Sequence, residues 1–151
     1  MHQIVTKHIP KLDDLKRTAE RDKFCSYDAE NDHVVVEYKS RRKFYEVSTQ
    51  LEKPKYDKNM SDKRKYLYVV FDGVDKVQLW NVSKLTEMGY DFKWGEKLCP
   101  ATTDFGRNEL IPKTVGELKW VDAHHTLQVK ARENPVEQPV DTFDYYDVAQ
   151  L

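Results

Sequence analysis

The sequence predicts an α/β fold, a central β-sheet flanked by helices, and three observations predict it. Tyr66-Leu67-Tyr68-Val69-Val70-Phe71 is apolar on both faces, as a strand covered above and below must be. Residues 24 to 43 read as a β-hairpin, because two runs rich in aromatic and β-branched residues flank the polar turn cluster Glu30-Asn31-Asp32. Leu12, Leu15 and Ala19, ahead of that hairpin, recur at the spacing of one helix face.

A chain of 151 residues suits one domain with a real core, although only 39% of it is hydrophobic and 34% is charged. No apolar run approaches a membrane span, and the first residues lack a basic-then-apolar signal segment, so a soluble, cytoplasmic protein with no membrane partner is expected. Cys25 and Cys99 form no C-x-x-C pair and fit a reducing compartment as small buried hydrophobes. Net charge is -1, but unevenly placed: Lys plus Arg exceed Asp plus Glu by 4 over residues 1–66 and fall short by 5 over residues 67–151. A groove lined by the basic half would attract a phosphate backbone while the whole protein stays near neutral.

Taken in order, residues 10 to 21 are expected to be helical, with Pro10 in the first turn and Asp13 and Asp14 at its positive end. After the hairpin, Phe44 to Val47 continues the strand or turns into a connector. Residues 48 to 65 read as a Lys-rich second helix interrupted by Pro54, its last part polar enough for a loop. Tyr66 to Phe71 is the central strand; Asp72-Gly73 turns the chain, and Lys76 to Val82 alternates Val77 and Leu79 with Gln78 and a core Trp80. Gly89, Gly95, Pro100, Gly106 and Pro112 suggest turns and a long ordered loop over residues 83 to 112, with Arg107 available to phosphate or base. Thr114-x-x-Glu117 reads as a capping box opening a helix to Ala123. His124-His125, without a partner at fixed spacing, reads as structural. From Glu133 on there are five acidic residues, two prolines and no Lys or Arg, so residues 1–132 form the domain and 133–151 an extended or disordered tail. Its aromatic residues would dock on a protein partner or on the chain's own basic groove.

The hairpin carries the chemistry. Side chains alternate along a strand, so Val35, Glu37 and Lys39 share one face and Val34, Val36 and Tyr38 the other. Folding about residues 31 to 33 brings Asp28 to the Glu37 end of the second strand. Magnesium or manganese takes hard oxygen ligands and leaves positions for water and phosphate. Asp28, Glu37 and the backbone carbonyl of Tyr38 are the candidate ligands. Lys39 is placed to orient or deprotonate a water, and Arg41, Arg42 and Lys43 follow to hold neighbouring phosphates.

Asp28, eight residues, then Glu37-Tyr38-Lys39 is similar to the Asp…(Asp/Glu)-x-Lys signature of the PD-(D/E)xK, or restriction-endonuclease-like, nuclease superfamily. The resemblance spans about residues 10 to 85. It implies a restriction-endonuclease-like core with a central mixed β-sheet flanked by helices, Mg2+ or Mn2+ as cofactor, and DNA as substrate. It also implies an acidic residue on the first helix, a place Glu20 fills, and a second helix whose Lys53, Lys55 and Tyr56 face the substrate. The family normally has a strand before the Asp-bearing one; residues 2 to 9 supply it or it is absent. A tripeptide Glu-x-Lys alone carries little, since a chain this charged contains about one by accident, and Glu117-Leu118-Lys119 is a second copy without a hairpin Asp.

The expected function is therefore metal-dependent hydrolysis of DNA, with a homodimer able to act on two strands. The rivals are a non-catalytic nucleic-acid-binding module of the same fold and an interaction or inhibitor protein acting through the acidic aromatic tail. Neither a G-x-x-x-x-G-K-[ST] loop nor a G-x-G-x-x-G fingerprint occurs, so ATP-driven or dinucleotide-dependent chemistry has no support.

Overall fold

A computed structural model describes residues 1–41, 47–100, 109–131 and 143–149, with the backbone alone for 130–131 and 143–149. The described elements are helix α1 (His2–His8), β1 (Lys16–Arg17), a 3₁₀ turn (Thr18–Glu20), β2 (Ala29–Glu30), β3 (Val34–Ser40), β4 (Ser48–Glu52), α2 (Lys53–Met60) and β5 (Lys65–Phe71). There follow β6 (Lys76–Asn81), α3 (Val82–Glu87), β7 (Gly95–Pro100), β8 (Leu110–Lys119), a second 3₁₀ turn (Trp120–Asp122), β9 (His125–Ala131) and β10 (Phe143–Ala149).

The fold is α/β, built on a mixed seven-stranded sheet of order β1-β2-β3-β5-β6-β9-β10. Its β3 and β5 run parallel and its other pairs antiparallel. Parallel neighbours need a crossover, which β4 and α2 provide. β4 itself joins a second, antiparallel sheet of order β4-β8-β7. The alternating side chains of β5 feed two cores: Leu67 and Val69 pack with Ile4, Val5 and Leu12, while Tyr66, Tyr68 and Val70 pack with Leu51, Trp80 and Leu118. β5 is thus the doubly covered central strand that its composition requires, and Trp80 is fully buried.

Four sequence expectations are corrected. Residues 10 to 21 are not a helix. Pro10 forces Ile9 into extended backbone (φ -102°, ψ 119°), which ends α1, and Lys11 is left-handed (φ 68°), which stops helix resuming. Leu12, Leu15 and Thr18 still turn inward, from turns and β1's end rather than from a helix face. It is β1 that precedes and pairs with β2, Asp28 lies in a bend just before β2 rather than on a strand, and residues 2–8 are helical.

Residues 48 to 65 divide. Ser48–Glu52 alternates with Thr49 and Leu51 buried, the period of a strand, and Pro54 starts α2 instead of interrupting it, because the first helical turn has no use for its missing N–H. Residues 83 to 112 contain α3, β7 and the start of β8 rather than one long loop.

Thr114 to Ala123 forms no helix. β8 runs to Lys119, paired with β4 on one side and β7 on the other, so Val115 and Leu118 are buried by partners far away in sequence. Gly116 permits this: a Cβ there would meet the Trp94 ring at 2.8 Å. The acidic C-terminal stretch contributes β10, antiparallel to β9. Arg42, Lys43 and Arg107 lie outside the described residues.

Candidate active site

Glu37 is the buried acid around which the site is built. It sits in β3 facing the Trp80 side of the sheet, and only 2% of it is exposed. A buried carboxylate needs donors for its oxygens. Tyr66, on the parallel neighbour β5, gives its hydroxyl to Oε2 at 2.5 Å. Lys55, from the first turns of α2, places Nζ 3.3 Å from Oε1, and Lys39, two residues along β3, places Nζ 3.7 Å from the same oxygen. Strand alternation, parallel register and the crossover helix each supply one partner.

Asp28, in the bend just before β2, brackets the backbone of Glu37. Its N–H donates to the Val36 carbonyl and its Oδ2 accepts from the Tyr38 N–H, both at 2.8 Å. Backbone polar groups of alternate residues point the same way along a strand, so the Tyr38 carbonyl faces this side too, beyond the start of β2 at Ala29. The carboxylate of Asp28 is exposed and that of Glu37 is buried. Arg64 fixes the hairpin: it donates to Glu30 Oε1 at 3.1 Å, to the Asn31 carbonyl at 3.0 Å and to the Tyr27 hydroxyl at 3.0 Å.

The electrostatics follow from burial. Burial lowers the pKa of Lys39, the Lys55 charge adds to the shift, and Glu37 partly offsets it. Lys55 also loses solvent, but Glu37 outweighs the loss and its pKa is raised. Burial pushes Tyr66 far above the ordinary phenol range, and the Glu37 charge adds to it. Glu52, at the end of β4, is pushed up by burial, but Lys113 and Lys39 outweigh that and hold it below the usual carboxylate range. Lys113 Nζ lies 3.3 Å from Glu52 Oε1. The cluster therefore holds two acids and three lysines, one of which, Lys39, is eased toward its neutral form.

The other sequence candidates fall elsewhere. Glu20 is exposed in the 3₁₀ turn and acts electrostatically on His2, whose ring nitrogen lies 2.8 Å from the Tyr38 hydroxyl. Tyr38 and Glu37 point to opposite faces of β3, so Glu20 belongs to the side away from the Glu37 carboxylate. Arg41 is turned back onto β4, donating to the Gln50 carbonyl at 3.3 Å. Lys53 pairs with Asp57 at 2.5 Å and lies over the rings of Tyr56 and Trp94, 4.9 and 5.0 Å from their centroids. Tyr56 packs against Phe92 and Trp94 and hydrogen-bonds Thr86, so it serves the core. Of the second-helix residues only Lys55 reaches Glu37.

Tyr66, Glu52 and Lys113 join the site without any local signal. Only the β3–β5 register and the β4–β8 pairing bring them in. Among the described residues no group of three or more His, Cys, Asp and Glu stands ready to hold a metal ion. The oxygen donors available at the hairpin are the carboxylates of Asp28 and Glu37 and the Tyr38 carbonyl, a hard set of the kind magnesium accepts alongside water and phosphate. No described helix is long and apolar enough to cross a membrane. Compared with family models, with curated proteins and with solved structures, the chain matches none.

Proposed function

We propose that the chain is a metal-dependent nuclease hydrolysing DNA phosphodiester bonds at the Asp28–Glu37–Lys39 site. The observation that supports this most is the placement of Lys39 and Lys55 on one oxygen of a buried Glu37, with Asp28 bonded to the next peptide of the same strand. Glu37 and the two lysines share one carboxylate oxygen and Asp28 adjoins them through the Tyr38 peptide, which supports the resemblance to the PD-(D/E)xK hairpin. DNA is the favoured substrate because most of that superfamily acts on it.

In this reading Asp28, Glu37 and the Tyr38 carbonyl would hold Mg2+ or Mn2+. The bound ion supplies a lowered pKa for a coordinated water and charge neutralisation at the phosphate. Lys39, its pKa lowered by burial, takes the proton of the attacking water or orients it. Lys55, its pKa raised beside Glu37, keeps its ammonium and donates to a phosphate oxygen. Tyr66 fixes the rotamer of Glu37 and leaves Oε1 to the cationic side.

One observation favours a second reading. Both oxygens of Glu37 already have protein donors, which is how a non-catalytic module would stabilise the same hairpin while its lysines clamp phosphate. The two separate in one experiment: cleavage of supercoiled, linear duplex, single-stranded and branched DNA with magnesium, manganese or EDTA, beside Lys39→Ala and Asp28→Asn. Metal-dependent cutting lost in both variants is expected. Salt-sensitive binding without cutting, unaffected by EDTA, would replace the nuclease by the binding module.

A further inference from the structure

A cleft of about 370 Å³ opens on the face of the large sheet opposite Glu37, at the end where β3 and β5 begin. Its floor is apolar: Leu12, Leu67 and Leu79 line it and are each no more than 6% exposed. Its rim is cationic: Lys11, Lys65 and Lys84, all exposed, come from three separate segments. His124 and His125 close one side, and no carboxylate is among the residues that line it.

This arrangement is not what core packing alone produces. Its floor residues belong to the core of the sheet and are almost fully covered by it, so what sets the cleft apart is what surrounds them. Lysines gathered around it repel one another, and of the three rim lysines Lys65 has an ion pair, to Glu87 at 3.3 Å, which lies outside the lining. Lys11 is held in the left-handed region (φ 68°), a conformation costly for a side chain with a Cβ and common where a wall is shaped for a ligand. His124 Nδ1 accepts from the Asn81 N–H at 3.0 Å, so the proton of the neutral ring sits on Nε2 and that nitrogen is a donor. An apolar floor with a few convergent donors and no acid is the make-up of a small-molecule pocket.

We propose that this cleft binds a small organic anion, its apolar body on the Leu67–Leu79 floor and its anionic head between Lys11, Lys65 and Lys84. The site is separate from the Glu37 cluster and does not depend on the nuclease reading. The shared chemistry is a hydrophobic body with one acidic head, which an acyl carboxylate and a nucleotide phosphate both carry.

The test uses the whole chain and two probes of the same shape, 8-anilinonaphthalene-1-sulfonate and its neutral analogue N-phenyl-1-naphthylamine. Fluorescence titration is expected to show saturable one-to-one binding of the sulfonate and at least tenfold weaker binding of the neutral probe. The double variant Lys65→Ala/Lys84→Ala, at exposed positions and checked for an unchanged thermal midpoint, is expected to weaken the sulfonate at least tenfold and to leave the neutral probe unmoved. Displacement of the sulfonate by decanoate would assign the acyl carboxylate, and displacement by adenosine 5′-monophosphate the nucleotide. Equal affinity for the two probes, binding indifferent to the lysine substitutions, or displacement by neither competitor would overturn the proposal.

Discussion

The Tyr66 hydroxyl donates to Glu37 Oε2 at 2.5 Å across the parallel β3–β5 pair, so the central strand of the fold directly orients the acid of the candidate site. Tyr66→Phe removes the donor without changing the volume of the ring. The buried oxygen is then left without its partner, a loss of about 1–3 kcal/mol. Urea denaturation is expected to show that loss with an unchanged m value. A variant as stable as the parent would mean that Glu37 finds another donor and that the hydroxyl does not position it.

Lys39 and Glu37 are linked by opposing effects. Burial lowers the lysine's pKa below 10.5 and the carboxylate holds it up. Glu37→Gln removes the support, so the pKa of Lys39 is expected to fall further, read directly from the Nζ-linked carbon shift in an NMR titration. The sign for stability follows. As pH drops below 10.5 the unfolded chain takes up this proton before the folded one does, so this group's contribution to stability falls over the window between the two pKa values. In Glu37→Gln the window extends to lower pH. An unmoved Lys39 titration would show that Glu37 does not hold the lysine's pKa up and that burial alone sets it.

The turn and second strand of the hairpin and the two strands after α2 were legible in the sequence because their signal is local, whereas the hairpin's first strand is only Ala29–Glu30, preceded by turns and bends. Val34 to Lys39 alternates, Tyr66 to Phe71 is apolar throughout, and Asp72-Gly73 turns the chain between strands with Gly73 at φ 81°. Asp28, Glu37 and Lys39 were legible for the same reason, as positions on or next to the hairpin, whereas Lys55 was pointed to only by the resemblance, which implies a second helix facing the substrate. Spacing misled where two periods coincide. Leu12, Leu15 and Ala19 recur at the spacing of a helix face, yet Pro10 and the left-handed Lys11 make the segment a chain of turns in which Ala19 is exposed and Thr18 is buried instead. Thr114-x-x-Glu117 has the letters of a capping box, but pairing on both edges makes it the central strand of a sheet. Glu52, Tyr66 and Lys113 were hidden because register between distant strands decides their neighbours, and no window of sequence contains it.

His124 makes the fold sensitive to acid. Burial first, then the charges of Lys84 and His125, lower its pKa below 6.5, with Asp122 opposing. The unfolded chain therefore binds this proton at about 6.5 while the folded protein still excludes it. Stability is expected to fall as pH drops from 6.5 toward the native value and to level off below it. Protonation also puts a hydrogen on Nδ1, where the Asn81 N–H already points. His124→Asn keeps an acceptor without the titration. Unfolding free energies between about pH 5 and 8 are expected to show a shallower slope in this variant. An identical slope would assign the acid sensitivity to His2 and His8, whose pKa values burial also lowers.

Gly116 lets the second sheet close on the aromatic cluster beside α2. A Cβ at this position would lie 2.8 and 2.9 Å from two carbons of the Trp94 ring and 3.1 Å from the Cβ of Phe92. Trp94 packs against Tyr56, with ring centroids 4.9 Å apart, and Phe92 is buried, so an added Cβ displaces packed aromatic side chains. Gly116→Ala is expected to cost about 1–3 kcal/mol by overpacking. The strain reaches α2 through Tyr56, and with it Lys55 on Glu37. Adding Trp94→Leu removes the clashing ring atoms, so the double variant is expected to lose less stability than the sum of the two single changes. Additive losses in that cycle would show that Gly116 serves the β8 backbone and not the ring that lies over it.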